Sequence, residues 1–171
     1  MDQDLSEFRP SRIWKRMGAE RRQRAAAAFW GDEQSTEQQV EAVGAISGHM
    51  KFRPKSVIAL PLERKAKYLA ALPAMPDTIA ARALVSYHLE HQRPMMGTFL
   101  DALGIAHENG LISEEEVAKP DPEKLREAAG ALAASHPAED VALYFSTLVS
   151  QDPDTWGALA ALPQTLAPPA E

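Results

Sequence analysis

The chain has 171 residues and a net charge of −6, with 45% apolar residues and no cysteine. This composition excludes disulfides, thiolate metal ligands and a cysteine nucleophile, while the length suffices for one domain with a hydrophobic core. Alanine accounts for 30 residues, whereas valine and isoleucine together account for 13. Because alanine is the strongest helix former and β-branched residues favour strands, the composition predicts an all-α protein.

Prolines followed by acidic residues mark where many of the helices are predicted to begin. Proline at the first helical position lacks only an N–H that would be unpaired there, and an acid in the first turn meets the positive end of the helix dipole. In chain order, the predicted helices cover residues 11–17, 19–30, 35–50, 56–60, 62–72, 77–92, 94–103, 122–134, 138–150 and 153–162. Ser35 and Asp77 are the predicted caps of two of them. The expected fold is an irregular bundle of about nine to eleven short helices.

The predicted organisation is a single helical domain over residues 1–162, followed by a flexible proline-rich tail over 163–171. The domain divides into a basic half, 9–67, and an acidic half, 68–162. Residues 1–67 carry 13 basic and 9 acidic side chains, whereas residues 68–171 carry 5 basic and 15 acidic. Such an asymmetry of charge favours one of three arrangements: binding of an anionic partner, docking of one half of the chain on the other, or head-to-tail association of copies.

A structural turn is predicted around Gly104, Asn109 and Gly110. Gly104 follows a predicted helix and is suited to a Schellman-type cap, with the next residue supplying the apolar contact. Asn109 and Gly110 are the residue types that best tolerate positive φ. This segment therefore predicts a sharp reversal of the chain.

The same segment partly matches an EF-hand calcium loop. Gly110 and Glu116 fit positions 6 and 12, but Ile105 and His107 occupy positions 1 and 3, which need oxygen ligands. A calcium site is therefore disfavoured. A plain helix–turn–helix connection is the better interpretation, with Ser113 beginning a capping box for the second helix.

Four residues form a candidate metal or small-molecule site: His88, His91, Asp101 and His107. His88 and His91 lie three residues apart on one predicted helix, so they can project from neighbouring points of its surface. Imidazoles and a carboxylate are ligands for zinc or iron, but no recognised metal motif contains this spacing. The alternative is that the histidines are ordinary packing residues.

Arg12, Lys15, Arg16, Arg21 and Arg22 form a candidate anion-binding surface. Arginines beside tryptophans suit phosphates and stacked bases, but the acidic chain as a whole would repel nucleic acid. Solvated charge, or pairing with the acidic half, is the alternative. A second basic cluster follows at Lys51, Arg53, Lys55, Arg64, Lys65 and Lys67.

The leading functional hypothesis is a helical protein-interaction or scaffolding module without catalytic activity, acting through a protein partner or by self-association. Glycine-rich phosphate loops, nucleophile elbows and dinucleotide fingerprints are all missing from the sequence. The alternative is a metal-dependent or small-molecule-binding protein with its site near His88, His91, Asp101 and His107. The sequence identifies no cofactor and leaves enzymatic activity undecided.

An acidic start without an apolar run, and no stretch of ~18 apolar residues, predict a cytoplasmic protein without membrane association.

Overall fold

The computed structural model of the protein describes residues 5–165. Helices make up 73% of this range, and its only strands are two of two residues each. The ten α-helices are α1 (Pro10–Arg16), α2 (Ala19–Gly31), α3 (Thr36–Met50), α4 (Pro54–Ile58), α5 (Leu62–Ala70), α6 (Asp77–His91), α7 (Arg93–Ala102), α8 (Pro122–Ser135), α9 (Ala138–Gln151) and α10 (Pro153–Trp156). Short 3-10 turns lie at Ser6–Phe8, Glu33–Ser35 and Gly157–Ala161. The prediction of an all-α bundle of about ten helices is confirmed.

The helices bury two adjoining hydrophobic clusters. The first is built mainly by α1, α2, α3, α5 and α6, and its largest members include Trp14, Phe29, Ile46, Leu69 and Tyr87. The second is built mainly by α7 to α10, with Phe99, Leu125, Tyr144, Phe145 and Trp156. Leu143 of α9 belongs to the first cluster and Tyr144 to the second, so α9 packs against both.

The proline-marked starts of α5, α8, α9 and α10 are confirmed, whereas α4 begins at Pro54, two residues before its predicted start. Pro122 and Pro153 are the first residues of α8 and α10, and the aspartate before each accepts a hydrogen bond from a backbone N–H of the first turn. Pro61 and Pro137 stand immediately before α5 and α9. Local chemistry is therefore sufficient to place these boundaries.

Two predicted helix caps are wrong because tertiary partners take the side chains. Ser35 makes no capping hydrogen bond to α3; it is buried, and its hydroxyl accepts a hydrogen bond from Nε of Arg82 at 2.9 Å. Asp77 lies inside the first turn of α6, where its carboxylate accepts from the Ser11 N–H at 2.9 Å and from Arg9 at 2.7 Å. These hydrogen bonds from Ser11 and Arg9 lower the pKa of Asp77 to about 2.

The end of α7 confirms the predicted Schellman cap. Gly104 has a φ of 70°. The Ile105 N–H donates to the carbonyl of Leu100 at 3.0 Å, and the Gly104 N–H donates to the carbonyl of Asp101 at 3.1 Å. These two hydrogen bonds are the pair that defines the motif.

A small β-hairpin replaces the predicted helix–turn–helix connection. Strands β1 (His107–Glu108) and β2 (Leu111–Ile112) pair antiparallel, with His107 opposite Ile112. The two-residue turn between them, Asn109 and Gly110, has φ values of 49° and 89°, as a type I′ turn requires. No helix occurs between residues 113 and 121, so the predicted capping box at Ser113 is wrong.

The predicted flexible tail is only partly covered by the structure. Of residues 163–171, the first three lie in a turn in which Thr165 is buried and donates its N–H to the carbonyl of Leu162 at 3.1 Å. Residues 1–4 and 166–171 lie outside the described residues.

Candidate functional site

The structure does not bring the four predicted metal-site residues to one point. His88 is only 3% exposed and faces α9, whereas His91, nearly one turn later on α6, is exposed to solvent. Asp101 and His107 form a separate pair between α7 and β1. Within residues 5–165, no group of three or more histidine, aspartate or glutamate side chains is placed to hold a metal ion.

His107 is committed to holding the hairpin against α7. Its Nδ1 accepts a hydrogen bond from the Gly110 N–H at 3.0 Å. The ring proton is therefore on Nε2, which donates to Asp101 at 2.7 Å. Because both nitrogens are occupied, binding a metal at His107 would require one of these hydrogen bonds to break.

His88 has one nitrogen in a hydrogen bond and one without a partner. Its Nε2 lies 3.0 Å from the hydroxyl of Thr147. That hydroxyl donates its single hydrogen to the carbonyl of Leu143 at 2.8 Å, so it accepts the Nε2–H of His88. The Nδ1 atom is then a bare acceptor, and it is buried without a hydrogen-bond partner in the described part of the chain. Burial lowers the pKa of His88 to about 3, so the ring is neutral at pH 7.

The N-terminal arginines are mostly paired within the molecule. Arg12 forms an ion pair with Glu7, and Arg16 donates to the Glu7 carbonyl at 3.0 Å while lying over the ring of Phe8. Arg24 pairs with Glu20 one turn earlier on α2. These contacts leave less positive charge available to an external anion than the sequence alone indicates.

Arg21 joins the basic half of the chain to the acidic half. Its guanidinium contacts Glu139 and lies 3.0 Å from Asp140, both in the first turn of α9. Burial opposes the charged form of Arg21, but the hydrogen bond and charge of Asp140, helped by Glu139, raise its pKa overall. The predicted pairing between halves therefore occurs here, and also between Arg9 and Asp77.

The other two members of the predicted anion-binding surface differ in exposure. Lys15 is exposed. The Nε atom of Arg22 is buried and has no hydrogen-bond partner among residues 5–165. The five basic residues therefore do not form one continuous, free cationic surface.

The second basic cluster, by contrast, forms an exposed cationic surface on α4, α5 and the segments beside them. We call residues 51–67 the basic surface; it carries six basic side chains against one acidic. None of them belongs to an ion pair of the described chain, although Lys65 lies 5.2 Å from the ring centre of Trp30. Two large aliphatic side chains are exposed in the same segment: Ile58 at 61% and Leu62 at 46%.

An exposed acidic surface lies on the hairpin, the loop after it and the start of α8. We call residues 108–127 the acidic surface; it carries seven acidic and three basic side chains. All seven carboxylates belong to exposed residues, and none is in an ion pair of the described residues. A groove of about 230 Å³ opens here between the end of α7 and the loop, lined by Leu103, Ile105, Glu114, Val117 and Asp121 among others.

A partly buried polar network at the end of α2 was not anticipated from the sequence. The carboxylate of Asp32 accepts from Arg82 at 3.0 Å and from the hydroxyl of Ser86 at 2.7 Å, and Ser35 also contacts Arg82. Burial alone would raise the pKa of Asp32, but the hydrogen bonds from Ser86, Gln34 and Arg82 lower it overall. Partners about fifty positions apart leave no local signal in the sequence. The role of the network is to fasten α2 to α6.

No protein-family model, curated protein or solved structure matches this chain. The helices of the described range include none long and apolar enough to cross a membrane.

Proposed function

We propose that this protein is a helical scaffold whose basic surface docks onto the acidic surface of a second copy. The observation that carries the proposal is the distribution of intramolecular ion pairs. Those pairs occupy Arg9, Arg12, Arg21 and Arg24, yet within residues 5–165 they leave the basic and the acidic surfaces without ion pairs. Two unpaired surfaces of opposite charge on one chain are complementary between copies.

The apolar parts of the two surfaces also match. On the basic surface, Ile58 and Leu62 project among cations. On the acidic surface, the lining of the groove includes Leu103, Ile105 and Val117, together with two carboxylates (Glu114 and Asp121) and two lysines (Lys119 and Lys124). Its volume of about 230 Å³ exceeds that of one aliphatic side chain. Insertion of Ile58 or Leu62 into this groove would place lysines and arginines around it beside carboxylates.

The position of the two surfaces favours contact between copies. The basic surface belongs to helices of the first hydrophobic cluster, to which Val57 and Leu69 contribute. The acidic surface belongs to the second cluster, through Leu125 and its neighbours. When a surface binds a different surface on the next copy, the contact is heterologous, and repetition produces a chain or a ring. Such an assembly is what a scaffolding role requires.

The expected association is weak and sensitive to salt. An exposed ion pair contributes at most about 1 kcal/mol and is screened by ions. Complete burial of one exposed Leu or Ile side chain contributes roughly 2 kcal/mol. A few such contacts, set against the entropy lost on association, correspond to a Kd much weaker than micromolar, on the order of 0.1 mM.

The test uses two charge-reversal variants. Lys55→Glu with Arg64→Glu removes most of the positive charge of the basic surface. Glu114→Lys with Glu115→Lys removes the excess negative charge of the acidic surface. Sedimentation velocity and light scattering at about 20 mM and about 300 mM NaCl, where the Debye length falls below 8 Å, measure the mass of each protein. The wild type should grow in mass with concentration at low salt only, and each variant should stay monomeric.

Mixing the variants distinguishes head-to-tail docking from association through one self-complementary surface. Each variant retains one intact surface, so an equimolar mixture should form a 1:1 dimer and nothing larger. Lys15→Glu with Arg24→Glu changes the net charge as much as the basic-surface variant does, but it should assemble like the wild type.

A wild type that remains monomeric up to about 1 mM at low salt, roughly tenfold above the expected Kd, would overturn the proposal. So would a mixture of the two variants that stays monomeric. Salt-sensitive binding of single-stranded RNA to the basic surface, in a protein that does not self-associate, would instead assign that surface to nucleic acid. A cytoplasmic location, as predicted from the sequence, belongs to the same proposal.

A further inference from the structure

An apolar cavity lies where the hairpin covers the junction of α6, α7 and α9. Its volume is about 110 Å³. The apolar part of its wall comes from two residues of α6 and one each of α7, β2 and α9: Val85, Leu89, Met96, Ile112 and Leu148. Aspartate, glutamate, lysine and arginine are absent from the described residues that line it, and the side chains of His88 and Thr147 are hydrogen-bonded to each other. Such a wall offers little to an ion or to water and suits an aliphatic group.

The mouth of the cavity lies at the acidic surface. Leu111 and Gln151 line the cavity and are exposed, so it opens to solvent beside them. Glu108 stands directly opposite Leu111 in the hairpin, and opposite residues of an antiparallel pair project from the same face with their Cβ atoms about 5 Å apart. Glu108 is exposed and forms no ion pair with another described residue. An unpaired carboxylate is therefore next to an apolar opening.

The basic surface carries the complementary pair of side chains on α4. Ile58 is the last residue of α4 and is 61% exposed. Lys55, three residues earlier, is exposed and forms no ion pair within the described range. Residues three apart on a helix are neighbours, with Cβ atoms about 5–6 Å apart. An aliphatic side chain and an unpaired cation are therefore spaced much as the opening and its carboxylate are.

We infer that Ile58 of one copy enters this cavity of the next copy, with Lys55 beside Glu108. The inference rests on the proposed head-to-tail assembly and names the contact that fixes how the two surfaces align. Because Ile58 is exposed, it does not fill the cavity of its own chain. The size is suitable, since a cavity of ~150 Å³ in another protein holds benzene and the side chain of isoleucine is smaller than benzene. Leu62 is then the side chain left for the groove between α7 and the loop.

The experiment uses the two charge-reversal variants, because their mixture contains a single docking contact. The variant with Lys55→Glu and Arg64→Glu retains the acidic surface, and the variant with Glu114→Lys and Glu115→Lys retains the basic surface. The first, labelled with 13C in its methyl groups, is titrated with the second, unlabelled, at about 20 mM NaCl. The methyl signals of the cavity residues should shift, reach saturation at a 1:1 ratio and report the Kd; those residues are Val85, Leu89, Ile112 and Leu148.

Truncation of the inserted side chain tests the occupant. Ile58→Ala in the unlabelled protein should raise the Kd about tenfold, because most of the apolar area that the contact buries is lost. It should also remove the shifts of the cavity methyl signals. Val40→Ala is the control, since Val40 is an aliphatic residue of α3 that is 71% exposed and lies outside both surfaces. That change should leave the Kd and the shifts as they were.

Changes in the labelled protein test the cavity and the ion pair beside it. Val85→Phe should fill the cavity and weaken docking, and Ile58→Ala in the partner should then have no further effect, because both changes remove the same contact. Glu108→Lys alone should raise the Kd about fivefold. Combining it with Lys55→Glu in the partner should restore the Kd, because the two charges are exchanged.

A mixture that forms the 1:1 dimer without shifting the cavity signals, or an unchanged Kd for Ile58→Ala, would overturn the inference and leave the proposed assembly standing. If Leu62→Ala removed the shifts and Ile58→Ala did not, the cavity would belong to Leu62 and the inference would be wrong. Saturable binding of benzene in a cavity that does not respond to the partner would assign it to a small apolar molecule, with the same consequence. A mixture that stays monomeric would overturn the assembly, and this inference with it.

Discussion

Replacing Gly110 with alanine should strongly destabilise the protein. Gly110 has a φ of 89°, and a Cβ added there would stand 2.9 Å from the Arg93 carbonyl oxygen and 3.1 Å from Cβ of Met96. The unfavourable φ costs alanine about 1 kcal/mol. The contact with α7 adds about 1–3 kcal/mol, the usual cost of forcing extra volume into a packed site. The expected total is about 2–4 kcal/mol.

Gly104→Ala is the matched control, because it adds the same methyl group to another glycine with a positive φ. Gly104 has a φ of 70°, and an added Cβ would meet nothing within 4 Å. This variant should lose only about 1 kcal/mol, the conformational cost alone. The difference between the two variants therefore isolates the packing of the turn against α7.

Urea denaturation followed by circular dichroism measures both free energies of unfolding. In thermal unfolding, a loss of about 3 kcal/mol corresponds to a Tm lower by roughly 6–12 °C for a chain of this size. If Gly110→Ala were no less stable than Gly104→Ala, the close packing of the hairpin turn on α7 would be refuted.

Three further changes test the electrostatics of the fold. Because the pKa of His88 is lowered to about 3, the unfolded state binds an extra proton between about pH 6.5 and about pH 3. The free energy of unfolding should therefore fall across this window by up to about 1.4 kcal/mol per pH unit of acidification. Urea denaturation at several pH values should show a weaker dependence of this free energy on pH in His88→Leu. Asp77→Asn should lose about 1 kcal/mol at pH 7. The hydrogen bonds from Ser11 and Arg9 lower the Asp77 pKa to about 2, so the difference in free energy of unfolding between Asp77→Asn and the wild type should shrink as the pH falls from about 4 towards 2. A difference that stays constant with pH would show that the Asp77 carboxylate does not stabilise the fold through these hydrogen bonds. Arg21→Ala should lose about 1–2 kcal/mol of stability because it removes the contact between α2 and α9, whereas Arg24→Ala should lose less than about 0.5 kcal/mol. Equal losses in the two variants would refute the role of Arg21 in joining α2 to α9.

Elements specified by neighbouring residues were predictable. The composition indicated the all-α class, and an aspartate followed by proline marked the starts of α8 and α10. The Gly104 cap and the positive φ at Gly110 also followed from residue type, because these preferences arise from the sterics of one residue and its immediate neighbours. The helix–turn–helix expectation was wrong because β1 pairs with β2 and His107 fastens the resulting hairpin to α7.

The candidate sites depended on contacts between distant residues. Helical spacing placed His88 and His91 side by side, but only the packing of α9 on α6 decided that one is buried and the other exposed. In the same way, the sequence by itself determined where positive charge is concentrated. The tertiary structure decided that Arg21 is paired with α9, while the basic surface forms no ion pair with any other described residue. Helix starts and tight turns are set over a few residues, whereas burial and ion pairing are set by which helices meet, and local sequence carries little information about that.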